Sequence, residues 1–172
     1  MAGCKIVVVG CNHGVQARDR DALFGDSDQA KKQKTQFAQL ISALIKENQL
    51  EFVGEEWGLA SMTIAHVAAD ENDKIPWANI NTTLEQLDTL KIPRDYLQGA
   101  YSVVQKEQWS RQREPVMLLK LLECRRNAER YLVVCGFEHM GPLAGMLGKI
   151  CESVELVDCR KQPWYDDAVF SD

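Results

Sequence analysis

Two short segments share one pattern. "VVVGCNHG" (7–14) is a run of valines broken by Gly10, with His13 three residues on; "VVCGFEHM" (133–140) repeats it with Gly136 and His139. The chain has only three histidines, and two stand in this frame. A third segment, "LEFVGEEW" (50–57), ends an apolar run in Glu55 and Glu56. Two imidazoles and a carboxylate can bind a divalent metal while leaving positions for water. Without metal, the same trio can act as general base, general acid and orienting carboxylate. Both uses stay open from sequence. The metal set would be His13, Glu55 and His139, holding Mn, Zn, Co or Fe.

The glycines let the chain turn sharply off each strand, so that the histidine projects over the sheet edge. Adjacent residues leaving a strand point to opposite sides, so one glutamate should face the cleft and the other a partner such as an arginine. Glu55 is favoured for polarising or binding, with the reverse order open. Cys11 beside His13 offers a conceivable thiolate nucleophile, although strand-end packing is the commoner fate of such a residue. His66, in an alanine-rich stretch, reads as a structural partner, Glu138 as a solvent-facing loop residue and Trp57 as core or pocket rim.

The elements that must position these groups alternate. Residues 4–9 and 50–54 read as buried strands, with an amphipathic helix over 29–48 between them. A helix at 59–70 precedes a short strand at 74–80, which Pro76 consigns to an edge or an irregular path. A short helix and a turn fill 83–99, and 100–112 is helical. Proline inside a helix costs about 3 kcal/mol and almost nothing in the first turn, so a new helix is expected near Glu114, ahead of Pro115. Strand 131–136, helix 141–152, strand 153–159 and a polar tail over about 160–172 complete the chain. This order predicts a single compact α/β domain over 1–172, with a mostly parallel central sheet flanked by helices. Ligands of such sheets sit outside the carboxyl ends of the strands, and all three motifs fall there.

The bulk numbers exclude several functions. At 172 residues, 45% hydrophobic and 26% charged, the chain can bury one good core. A net charge of −5 argues against broad nucleic-acid binding. The arginine-rich stretch 111–130 reads as a solvated helix face, with a bound anion as the alternative. No segment has the apolar length of a membrane span. The six cysteines form no Cys-x-x-Cys pair and follow no secretory signal, which predicts free thiols and a cytoplasmic protein.

The arrangement resembles the Tiki/TraB/erythromycin-esterase/ChaN-like superfamily. "GCNH" and "GFEH" match its pair of Gly-x-x-His motifs, "GEEW" its glutamate position, and "REPVMLLKLL" (113–122) its upstream arginine helix, with Arg113 at the matching position. The likeness runs from Gly10 to about Asp158 and rests on these short motifs. It implies an α/β core with the side chains in one cleft. It also implies metal-dependent protease, histidine-activated-water esterase or haem-iron-binding activity, and the compact chain does not favour macrolide-like or polypeptide substrates.

Arg113 would then serve an anionic substrate group or a developing oxyanion, or else lie on the surface beside Glu114. The expected function is a hydrolase of small ester, amide or phosphoester molecules. Its catalytic residues would be His13, Glu55, Glu56, Arg113 and His139, with a divalent metal or without one. The alternative is a non-catalytic binder of a small ligand or of iron or haem in the same cleft. A nucleotide-binding module is disfavoured, because no Gly-rich phosphate loop follows any strand.

Overall fold

The structure is a computed structural model that describes residues 4–18, 27–58, 62–96 and 99–170. Five strands form one parallel sheet: β1 (Lys5–Cys11), β2 (Phe52–Glu55), β3 (Trp77–Asn79), β4 (Arg130–Gly136) and β5 (Ser153–Asp158), in the order β3-β2-β4-β1-β5. The α/β expectation is met. β1 and β4 are buried almost throughout because helices cover both of their faces.

Alternation along the strands divides the core. Val7, Val9, Val53, Leu132 and Val134 pack under α2 (Asp28–Glu47) and α3 (Ile64–Glu71). Ile6, Val8, Phe52, Tyr131, Val133 and Cys135 pack on the other face, under α5 (Val103–Cys124) and α6 (Phe137–Leu147). A single turn, α1 (His13–Gln16), leaves β1, and a short helix, α4 (Leu84–Thr89), follows β3. As Pro76 suggested, β3 is an edge strand. The first residues of the helix expected at 59–70 lie outside the described residues; α3 starts at Ile64, where Thr63 caps it.

Four expectations need correction. No new helix begins at Glu114: α5 runs unbroken through Pro115 from a capping box at Ser102 and Gln105. Pro115 is exposed, so the Arg111 carbonyl that loses its helical donor lies on the solvent side, where water can serve it. The helix expected from 141 starts directly at Phe137, with Gly136 as its N-cap, which draws His139 into the first turn. The polar tail is packed, with Trp164, Tyr165 and Phe170 against the core, and Tyr165 Oη accepting the Asn12 N–H at 3.2 Å.

The last correction concerns the thiols. Cys4 and Cys151 form a disulfide, with Cα atoms 4.9 Å apart, and Cys11, Cys124, Cys135 and Cys159 are free. The parallel pairing of β1 with β5 sets Lys5 opposite Ser153 and so brings the residues just before both strands together. This pair removes the all-free-thiol argument for a reducing compartment. Among the described residues, no helix is long and apolar enough to cross a membrane.

Candidate active site

β4 carries the site between its two neighbours. Cys11 pairs with Gly136 across β1 and β4, and Glu55 with Val134 across β2 and β4. The Glu56 N–H continues that ladder by donating to the Val134 carbonyl at 2.8 Å. Both Gly-x-x-His turns and the glutamate pair thus end at one level of the sheet.

The two glutamates part company there. Glu55 lies on the α3 side, fully buried, and its Oε2 accepts from the Thr63 hydroxyl and from Trp77 Nε1 at 2.9 Å. Burial pushes its carboxyl up to about 8, against the pull of those two hydrogen bonds. His66 stacks on Trp77 with ring centroids 4.3 Å apart, the structural role expected of it. Glu56 turns the other way. Its Oε1 accepts from Arg113 Nη2 at 2.8 Å and lies 3.4 Å from His139 Nε2; its Oε2 accepts the Gly136 N–H at 3.0 Å and lies 4.0 Å from His13 Nε2. Burial alone would raise its pKa, but His139, His13, Arg113 and the Gly136 N–H outweigh burial and hold it below the usual carboxylate value. Glu56, not the favoured Glu55, therefore faces the cleft and is also the arginine's partner.

Arg113 is neither at the surface nor free to receive a ligand. It is 4% exposed, and its Nε donates to Thr82 Oγ1 at 3.3 Å, Nη1 to Tyr96 Oη, and Nη2 to Asn81 Oδ1 at 2.6 Å as well as to Glu56. The fork is spent on the protein itself.

His139 is fully buried, contrary to the expectation that it projects over the edge. Its Nδ1 faces Glu114 Oε1 at 3.2 Å, and its Nε2 faces Glu138 Oε1 at 3.3 Å with Arg113 Nη1 at 3.4 Å. Burial and Arg113 oppose a charge on the ring. The Glu138 hydrogen bond and the field of Glu56 prevail, and the pKa is raised. Glu114 and Glu138 complete the cluster. One passed in sequence as a helix-end neighbour of Arg113, and the other as a loop residue. The i, i+25 and i, i+1 separations from His139 carry no local periodic signal that could have marked them.

His13 is the open member, with its side chain 40% exposed. Its Nδ1 lies 2.7 Å from Gln16 Oε1, which can only accept, so Nδ1 is assigned as the donor and Nε2 faces the cleft. Trp57 is buried, its ring 6.5 Å from the imidazole. The cleft is a cavity of about 240 Å³ lined by Cys11, Asn12, His13, Glu56, Arg113, Gly136, Phe137 and Glu138. A larger cavity, about 640 Å³, opens at the opposite end of the sheet beside Leu50 and Pro76 and holds none of the motif residues.

A metal does not fit this donor set. Glu55 is on the wrong face, and an arginine cation already stands beside His139 Nε2 and Glu56 Oε1. Among the described residues, no group of three or more His, Cys, Asp or Glu is arranged to hold a metal ion. Nor are the thiols poised as nucleophiles: burial raises Cys11 and Cys135 well above the ordinary thiol value. Comparison with protein-family models, curated proteins and solved structures found no match to this chain.

Proposed function

We propose that the chain is a hydrolase in which His13 and Glu56 together activate water for attack on a small ester, amide or phosphoester. One observation carries this reading. A β-carbon added to Gly136 would lie 3.4 Å from His13 Nε2 and 3.5 Å from Glu56 Oε2. That point is too close to Cα to hold a water itself, but beside it His13 Nε2 and Glu56 Oε2 stand 4.0 Å apart on the cleft wall, a gap that one water on the cleft side can bridge. A water there can give one hydrogen to each, which aims an oxygen lone pair outward, and His13 takes its proton as attack proceeds.

The rest of the cluster supports that geometry. Arg113 and His139 keep Glu56 ionised and fixed, and Gln16 fixes the His13 ring. α6 begins at the cleft with a glycine N-cap that supplies no capping side chain, so the N–H groups of its first turn are suited to a developing oxyanion. A cavity below the roughly 300–1,000 Å³ common for drug-sized ligands suits a small substrate. The paired Gly-x-x-His pattern, which resembles a superfamily containing histidine-dependent esterases, points the same way. An iron- or haem-type ligand has less support, because protein groups enclose His139.

A panel of small esters, amides and phosphoesters tests the reading. We expect turnover with one class, reduced at least about 10²-fold in His13→Ala with the fold intact. Turnover indifferent to that substitution, or none across the panel, would reject it.

A further inference from the structure

A second cavity, about 440 Å³, adjoins the cleft and shares Glu138 with it. Its volume falls within the roughly 300–1,000 Å³ usual for small-molecule sites. One wall is a stripe on α5, where Val103, Glu107, Ser110 and Glu114 recur at helical spacing. Glu138, in the first turn of α6, stands opposite, and Ser110 Oγ donates to its Oε1 at 3.4 Å. Glu114 is 5% exposed and lines the cavity, so what little of it stays open faces there. Both inner carboxylates spend one oxygen on His139: Glu114 Oε1 lies 3.2 Å from Nδ1, and Glu138 Oε1 3.3 Å from Nε2. Among the described residues, no donor reaches the second oxygen of either. We propose that this cavity is a subsite for a primary ammonium group, so that the hydrolase acts on small esters or amides carrying an aliphatic amine. The reaction in this statement rests on the hydrolase reading; the binding does not.

The wall offers acceptors. Two carboxylate oxygens are open, and the Ser110 hydroxyl, its proton already given to Glu138, keeps only lone pairs. A primary ammonium has three donors and no acceptor, which matches this set, and its bonds to carboxylates are charge-assisted. Even with an imidazolium at His139 between them, two carboxylates leave one negative charge for a monocation to balance. A metal ion has less support, because no group of three or more His, Cys, Asp or Glu among the described residues is arranged to hold one. Lys106 and Arg111 also line the cavity and oppose a second positive charge. Arg111 is exposed, so water and salt screen it, and Glu107 stands on the same helix to offset it. Val103, 72% exposed at the cavity wall, offers methyl groups to an alkyl stem. A substrate with its amine at Glu114 and its carbonyl at His13 would pass Glu138, the residue common to both cavities.

The test titrates the whole protein with butylammonium chloride at constant ionic strength, followed by backbone amide NMR, with butanol as the neutral probe. Saturable shifts should appear at Ser110, Glu114 and Glu138, with butanol binding at least about tenfold more weakly. Glu114→Gln and Glu138→Gln should each weaken butylammonium at least about tenfold. Should Glu114→Gln fail to fold, Glu138→Gln decides alone, since that side chain is half exposed and its loss leaves the core intact. No saturation, an equal response to butanol, or wild-type affinity in the folded variants would overturn the subsite. Kinetics then join it to the reaction. An ester with a terminal ammonium should exceed its neutral hydroxyl counterpart in kcat/KM at least about tenfold, through KM. Turnover without that preference would reject the subsite and leave the hydrolase reading. Ammonium binding with no turnover of any ester or amide would reject the hydrolase reading and leave the subsite.

Discussion

Glu55 and Glu56 are neighbours in the chain and lie on opposite faces of the sheet, the first against Thr63 and Trp77, the second against Arg113 and the Gly136 N–H. One is a carboxyl that burial drives towards neutrality. The other is a carboxylate held charged by its cationic neighbours. Adjacent positions therefore do opposite electrostatic work, and substitutions at them should be separable.

Gly136→Ala probes the open space directly. The new methyl would meet His13 Nε2 and Glu56 Oε2 at ordinary contact distances, so the melting temperature should change little. Activity should fall at least about tenfold, since the methyl crowds the water that bridges His13 Nε2 and Glu56 Oε2. Gly54→Ala is the contrast: its methyl would lie 2.5 Å from Leu121 Cδ1, away from the cleft, and should cost stability first.

Glu56→Gln removes a carboxylate shared by Arg113 and His139. Breaking a buried pair from one side costs about 3–5 kcal/mol, and urea unfolding should register that loss. Arg113→Lys should also destabilise, because lysine keeps the charge and cannot reach Thr82, Tyr96, Asn81 and Glu56 at once. A lysine variant as stable as wild type would show that the fork is not structural.

The pH dependence of stability carries a Glu55 signature. Its pKa rises from 4.5 to about 8 on folding, so between those values the native state holds a proton that the unfolded chain has released. The contribution is complete below pH 4.5 and is lost as pH rises towards about 8. Urea midpoints compared between wild type and Glu55→Gln should show the falling component in wild type and its absence in the variant. Parallel curves would reject the shift.

The Cys4–Cys151 pair joins residues 147 apart in sequence. Alkylation of the denatured, unreduced protein should label the four other cysteines only. Reduction should lower stability by about 2–5 kcal/mol, the usual cost of losing a native bridge. Labelling of all six would show that the bond does not form.

The convergence of the motifs was legible because three apolar runs end in glycine followed by polar groups, and a parallel sheet leaves such ends only one edge to share. Which glutamate faces the cleft was not, because alternation separates Glu55 from Glu56 without fixing the phase of a four-residue strand. Pro115 misled because its cost depends on exposure: on a wet face, water can serve the freed carbonyl. Its continuous helix buries Arg113 and Glu114 together, and their partners Tyr96, Asn81 and His139 come from tertiary packing.

The strand order has a consequence for synthesis. β1, the most apolar strand, hydrogen-bonds only to β4 and β5, while β2 and β3 pair with each other at the far side of β4. As the chain leaves the ribosome, β1 therefore waits more than a hundred residues for its first partner, with the first Gly-x-x-His turn unsupported meanwhile. Such an exposed apolar edge invites pairing between nascent chains or capture by a chaperone. Any ribosome-stalled fragment that stops before Arg130 should hold a β2–β3 ribbon, an orphan β1 and no cleft.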